Sequence, residues 1–339
     1  MTQNPLRTFL QYLLVTSLLC LLARSAVLLV PEQAQVLHAR HTLTGNIHLH
    51  KSFHSRFLPT DRDIIVYMPP GYNDGRPTRY PVLYMQDGQN IFDAATSFFL
   101  GRERHMDEKA EDLIARGEIQ PLIIVGIYST GLNRIDEYTP TRVAGTNKGG
   151  EADLYGKMLV QEIKPFIDAN YRTLPGPQNT GLGGSSLGGS LTMYLGLKYS
   201  KTFGKLAVTS PAAYLDNEQL VQDIQRLRSK TNQRISLTVG TAEQATFIDG
   251  TRSLRQALVA KGWQEGADLG YMEAIGAEHS PENGARRSDR LLRFLFPAIK
   301  SSQRLQSEVR QGLSSLNDKN VERAILSNDR AMGCSQGLE

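Results

Sequence analysis

Apolar residues along the chain fall into short runs separated by turn formers. Ile64–Met68 (IIVYM) stops at Pro69-Pro70, and Val82–Met85 (VLYM) stops before Asp87-Gly88. Leu122–Ile127 (LIIVGI), Leu206–Val208 before Ser210-Pro211, and Ile235–Val239 before Gly240 continue the series. Runs this short and nearly continuous, rich in β-branched and aromatic residues, predict strands buried on both faces. Between them the pattern takes a helical period. Asp107–Arg116 begins with acids and ends on Arg116-Gly117, as the helix dipole prefers. Leu154–Ala169 has Leu154, Met158, Leu159, Ile163 and Ile167 at helical spacing. Leu220–Leu227, Leu254–Lys261 and Ser288–Phe296 complete the helical stretches. Alternation of strand and helix from about His38 to Phe296 predicts one α/β domain, 38–300, with a mostly parallel, doubly wound sheet flanked by helices. Gly131–Gly150, rich in Gly, Thr, Asn and charge, reads as a long surface loop. Ser301–Glu339 is polar, with a weak helical pattern around Leu305–Leu316, and reads as a loosely attached tail.

The N-terminus departs from this pattern. Arg7 precedes an apolar run from Phe9 to Ala23 that only Gln11, Thr16 and Ser17 interrupt, the layout of a secretory signal peptide. Ala23 and Ser25 are small residues spaced for cleavage after Ser25, so 1–25 is the expected signal. An uncleaved anchor is the rival, because Ala26–Val30 is apolar again; it would hold Arg24 in the bilayer at a cost of about 2.5–3.5 kcal/mol. The expected location is periplasmic or secreted, with membrane attachment only if the segment is retained. The remaining composition is that of a globular chain: 339 residues, 40% hydrophobic and 21% charged. The net charge of +4 is spread without a like-charge run, which argues against nucleic acid as a partner. Two cysteines, Cys20 and Cys334, leave no disulfide framework and no Cys-based zinc site.

Chemistry concentrates in Gly181–Ser190, GLGGSSLGGS, where Gly184-Ser185-Ser186-Leu187-Gly188 fits G-x-S-x-G. This spacing suits a nucleophile elbow, a strand-to-helix turn so sharp that its serine takes a strained backbone. Glycines two before and two after the serine let strand and helix pass closely. Of the nearby serines only Ser186 has both. The following N–H, that of Leu187, falls at a helix start, where it can stabilise an oxyanion. A Gly-rich phosphate loop is the competing reading, but no Gly-Lys-Ser/Thr follows.

A hydrolase with this elbow has the chain order Ser…acid…His. Of 7 histidines only His279 follows Ser186, so it is the candidate base. It lies in GAEHSP, after the apolar run Leu269–Met272 and before the last helix. The acid belongs after the Ile235–Val239 strand, where Glu243 stands; Asp249 is the alternative. A second oxyanion donor belongs in the loop after Val82–Met85, with the Gln89 N–H as candidate and that of Gly88 close behind. Phe98-Phe99-Leu100 either line an acyl pocket or anchor their loop. Arg134 and Glu137 either grip an anionic substrate group or fix a loop by ion pairing. His48 and His50 alternate along a possible strand and share a face, with His41 and His54 nearby, but no carboxylate or Cys joins them at ligand spacing. No metal is expected there. Trp263, beside Gly262 and charged neighbours, reads as a surface residue.

Several separated segments, taken together, resemble one family. YPVLYMQDGQNIFD (Tyr80–Asp93), IVGIYSTGLNRIDEYTP (Ile124–Pro140), GGSSLGG (Gly183–Gly189), TSPAAY (Thr209–Tyr214), VGTAE (Val239–Glu243) and GAEH (Gly276–His279) follow in the order seen in the putative esterase, or esterase D-like, family of α/β-hydrolases. The resemblance covers roughly His48 to Pro297. It implies that Ser186 matches the nucleophile, Glu243 the acid and His279 the base. Two positions depart from the family pattern. Arg104 and His105 stand before Met106 where relatives often carry Trp, and Pro281–Arg287 lacks the aromatic often found after the base. The resulting expectation is an exported serine hydrolase of carboxylic esters, acting through an acyl-enzyme without a cofactor. Its expected substrate is a small-molecule or polysaccharide-linked ester. An acyltransferase with the same triad is the first alternative, and a non-catalytic carbohydrate- or ligand-binding module on this scaffold the second.

Overall fold

The computed structural model describes residues 40–298 apart from Leu100, Asp216 and Asn217. The expected signal segment, the tail from Ser301 and both cysteines lie outside the described residues. Among the described residues eight strands form one sheet: β1 (Asn46–Phe53), β2 (Arg62–Met68), β3 (Val82–Gln86), β4 (Ile123–Ile127), β5 (Thr180–Ser185), β6 (Lys205–Thr209), β7 (Arg234–Gly240) and β8 (Leu269–Ala274). Their order is β1-β2-β4-β3-β5-β6-β7-β8. β2 runs antiparallel to β1 and to β4, and all pairings from β4 across to β8 are parallel. The sheet is therefore the mostly parallel one that the apolar runs predict.

The helices are α1 (Met106–Ala115), α2 (Arg134–Tyr138), α3 (Ala152–Met158), α4 (Lys164–Asn170), α5 (Leu187–Lys198), α6 (Gln219–Arg226), α7 (Ala245–Lys261) and α8 (Pro281–Leu295). They cover both faces of the sheet. In β2, Ile64, Val66 and Met68 join one core cluster, with Tyr155, Met158 and Leu191 from the helices. Ile65 and Tyr67 point the other way, into a second cluster with Met106, Leu113, Leu292 and Leu295. This is the period-two alternation of a strand, with both faces apolar because both are covered.

The stretch expected as helix over Leu154–Ala169 is helical throughout, with a π turn at Leu159–Ile163 joining α3 to α4. Two readings of the sequence need correction. The Gly131–Gly150 stretch is not wholly a surface loop. It opens with a 3-10 turn, Gly131–Asn133, and with α2, whose Glu137 and Tyr138 are buried. The partner that makes this possible is remote in sequence: Arg62 of β2 reaches both Glu137 oxygens, at 2.9 and 3.0 Å. Trp263 is not on the surface but buried, and its indole N–H donates to the Gln233 carbonyl at 3.1 Å. Polar neighbours in the sequence conceal a ring that fills the core beneath them.

Candidate active site

The carboxyl ends of β3, β5, β6, β7 and β8 lie along one edge of the sheet, the edge where parallel α/β sheets bind ligands. Ser186 stands between β5 and α5 with φ 58° and ψ −126°. Such a backbone costs a non-glycine residue on the order of 1–3 kcal/mol and persists only where its surroundings hold it. Here the Ser186 N–H donates to the Thr209 carbonyl at 3.0 Å, tying the turn to β6. Space requires glycine at Gly184, two before Ser186, and at Gly189, three after it. A Cβ on Gly184 would stand 2.4 Å from the Gly188 carbonyl oxygen, and one on Gly189 would stand 2.9 Å from that of Thr209. Gly188, two after Ser186, is less confined: a Cβ there would stand 3.1 Å from an Asp87 side-chain oxygen. The Leu187 N–H belongs to the first turn of α5, where helical donors have no intrahelical acceptor.

His279 precedes α8, whose start carries the Ser-Pro signature of a helix N-terminus: Ser280 accepts from the Asn283 N–H, and Pro281 takes the first position. His279 Nδ1 lies 2.7 Å from Glu243 Oε2. Glu243 follows β7 and is buried. Its other oxygen, Oε1, accepts from the Ser210 hydroxyl at 2.6 Å and from the Gly240 N–H at 2.7 Å, and Arg287 Nη2 is 3.3 Å away. Burial opposes the charge on Glu243, but the hydrogen bonds from His279, Ser210 and Gly240 outweigh it and hold the carboxyl below its usual range. Asp249, the alternative acid, is exposed and close to Arg252 at 3.7 Å.

Ser186 and His279 line one cavity of about 250 Å³. Asp87, Asn90, Phe98, Phe99, Arg104, Arg134 and Arg287 also border it. The loop after β3 forms a 3-10 turn, Gly88–Asn90, between Asp87 and the rest of this wall. A Cβ on Gly88 would stand 2.4 Å from the Gly126 carbonyl carbon, so only glycine lets the turn cross β4. The Gln89 side chain turns to Ser129, donating to its hydroxyl at 2.8 Å and accepting from its N–H at 3.1 Å. That pair fixes the turn whose first N–H groups are the candidate oxyanion donors.

The remaining candidates separate. Arg134 reaches the cavity wall and pairs with both oxygens of Asp87, at 2.6 and 2.8 Å. Burial works against its charge, and Asp87 more than restores it, leaving the guanidinium pKa raised. Glu137 does not border the cavity. Its carboxylate is consumed by buried Arg62, which agrees with the loop-fixing ion pair of the two readings offered for it. The N-terminal histidines do not converge. His41 pairs with Asp93, His54 with Asp61, and His50 with the Tyr171 hydroxyl at 2.6 Å, with His48 on the same face. Among the described residues, the one group of acids and histidines close enough to share an ion is Glu103, His105 and Glu108.

Sequence reasoning missed Arg287, Ser210 and Phe247. Arg287, in the second turn of α8, donates to Ser210 Oγ at 3.0 Å and so ties both groups to Glu243. Phe247 of α7 lies against the His279 ring, with centroids 4.4 Å apart. The TSP segment after β6 was a signal for Ser210. Nothing local marks the other two.

A serine on a strained strand–helix turn at the carboxyl edge of a mostly parallel sheet, on one cavity with a histidine held by a buried acid, fits a hydrolase of the α/β class. The family described as Putative esterase matches residues 55–276, well over half the chain, and the protein belongs to that family. It is a carboxylic-ester hydrolase. The chain is similar to the Uncharacterized protein YbbA of Bacillus subtilis (strain 168), 28% identical over 235 residues that cover 66% of this chain and 85% of that one. Among solved structures it resembles the BES protein from Bacillus cereus, with TM-score 0.60, 22% identity, and 77% of this chain and 99% of that one covered. It also resembles an IroE-like serine hydrolase from Shewanella oneidensis, with TM-score 0.59, 21% identity, and coverage of 74% and 80%. At these identities the structural likeness speaks for the fold.

Proposed function

We propose that the protein cleaves carboxylic esters through an acyl-enzyme, with Ser186 as nucleophile, His279 as base and Glu243 as the acid that orients it. The observation that carries this reading is the 2.7 Å contact from His279 Nδ1 to a buried, ionised Glu243, beside a cavity that Ser186 also lines. A carboxylate can only accept, so Nδ1 carries the proton and Nε2 keeps its lone pair. Nε2 takes the Ser186 proton as Oγ attacks the ester carbonyl. The N–H groups of Leu187 and Gln89, or Gly88 in place of Gln89, hold the oxyanion. The alcohol leaves with the proton from His279, and water then releases the acyl group by the same route. No cofactor enters these steps. The modest cavity suits a small ester or one ester group on a larger molecule such as a polysaccharide, with Phe98 and Phe99 as acyl contacts. Export is part of the reading and rests on Arg7 and the apolar run that follows it.

The test is hydrolysis of 4-nitrophenyl acetate, butyrate and decanoate by wild type and by Ser186→Ala. Turnover that disappears in the variant supports the reading, and the chain-length profile sizes the acyl site. Turnover that survives in the variant overturns the assignment of the nucleophile.

A further inference from the structure

Resting on the proposed ester hydrolysis at Ser186, we propose that Arg104 is a binding residue that selects esters carrying a carboxylate. Three guanidinium groups border the cavity, those of Arg104, Arg134 and Arg287. Two are answered. Arg134 holds Asp87 through two hydrogen bonds, and Arg287 lies against Glu243 and the Ser210 hydroxyl. Arg104 has no acid within ion-pairing distance among the described residues.

The site is built around this unanswered cation. The Arg104 N–H donates to the Asn90 carbonyl at 3.0 Å, which anchors the residue beside the proposed oxyanion turn. Its guanidinium lies over the first turn of α8. A Cβ on Gly284 would stand 2.9 Å from one terminal nitrogen and 3.0 Å from the other, so glycine clears the space the group occupies. A guanidinium placed only to brace the fold would have an acceptor, as Arg62 has in Glu137.

Charge points the same way. Asp87 is the one carboxylate among the described lining residues, and it is committed to Arg134. Glu243, behind the wall, is committed to His279 and Arg287. One positive charge is left over, and it is that of Arg104. α5 and α8 both begin at this cavity, and their amino ends add positive potential. Burial and then Arg287 push the Arg104 pKa down to about 10 against the pull of Asp87. The group stays charged at neutral pH, but its surroundings disfavour that charge until an anion arrives. A planar guanidinium fits a carboxylate with two parallel hydrogen bonds, and the small cavity favours so compact an anion.

Two matched pairs of esters test the idea and locate the anion. 4-Nitrophenyl hemisuccinate against 4-nitrophenyl butyrate puts the carboxylate on the acyl side. 4-Butyryloxybenzoate against its methyl ester puts it on the alcohol side. The readout is the ratio of kcat/KM, anionic over neutral, in wild type, Arg104→Met and Arg104→Lys, after subtraction of the uncatalysed rate. In at least one pair Arg104→Met should lower the ratio about ten- to a hundredfold, the range of a charge-assisted hydrogen bond, chiefly through KM. Arg104→Lys should keep an intermediate ratio. Gly284→Ala, which crowds the guanidinium, should shift the ratio in the same direction as Arg104→Met and decides the matter if that variant does not fold. Ratios within about twofold of wild type in both pairs overturn the inference. If the neutral esters are turned over only when Ser186 is present while the ratios stay unchanged, this inference fails and the esterase reading stands. If no ester of the four is hydrolysed through Ser186, both fail.

Discussion

Replacing Glu243 by Gln isolates what the buried acid does, because the structure dictates how the amide must face. The Oε1 position receives the Gly240 N–H at 2.7 Å and lies 3.3 Å from Arg287 Nη2. Both are donors with no capacity to accept, so only the amide oxygen fits there. The amide nitrogen is then forced into the place of Oε2, 2.7 Å from His279 Nδ1. An NH₂ group donates, so Nδ1 must accept, and the single ring proton of neutral histidine moves to Nε2. In the proposed mechanism that is the nitrogen that receives the Ser186 proton. Changing the acid of such a triad to its amide costs about 10⁴ in kcat. At about 1.36 kcal/mol per decade this is about 5.5 kcal/mol of transition-state stabilisation. The fold should survive better than the activity. Removing one partner of a buried pair outright costs about 3–5 kcal/mol, and Gln keeps the oxygen that Ser210, Gly240 and Arg287 face. The assay is kcat with 4-nitrophenyl butyrate, beside a thermal melt of each protein. A folded Glu243→Gln enzyme that keeps kcat within about tenfold of wild type would refute the tautomer argument and the base assigned to His279.

Two further outcomes follow from buried charges. Arg62→Met leaves Glu137 buried without its partner, in a pair whose side chains are 0% and 1% exposed, so the variant should lose about 3–5 kcal/mol in chemical denaturation. Arg62→Met combined with Glu137→Leu should recover most of that loss; no recovery would mean that the pair does not carry the effect. Asp107 is fully buried, and burial together with Glu108 raises its pKa to about 8. Its unfolded value is about 3.9, so between roughly pH 4 and pH 8 the folded state binds the extra proton, and stability falls as pH rises through that window. Asp107→Asn keeps the site neutral, so its melting temperature should change less than that of wild type between pH 5 and pH 8; equal slopes would sink the assignment.

The alternation of strands and helices was legible because strands covered on both faces must be apolar almost throughout. The surroundings of Ser186 were legible because so sharp a strand–helix turn leaves no room for a side chain at Gly184 or Gly189, and that demand is local. Glu243 and His279 could be placed for a related reason: each sits in a loop after a readable strand, and chain order left one histidine. The structure brings those two side chains together and sets His279 with Ser186 on one cavity. The Gly131–Gly150 stretch and Trp263 misled because burial there is imposed by distant parts of the chain. α2 looks like surface until Arg62 answers Glu137, and the polar residues around Trp263 say nothing of the core beneath it.

What the sequence determined by itself is what depends on spacing: the order of elements, the glycine-flanked serine, and the loops in which the acid and the histidine stand. Only the tertiary structure decided the pairing of charges. It matched Arg134 with Asp87, Arg62 with Glu137, and Arg287 with Glu243, and left Arg104 at the cavity without an acid among the described residues. The physical reason is range. Periodicity and turn chemistry act over a few residues and are written in neighbouring letters. An ion pair is set by which strands and helix ends the folded sheet brings together, and nothing near an arginine in the chain records which acid, if any, it will meet.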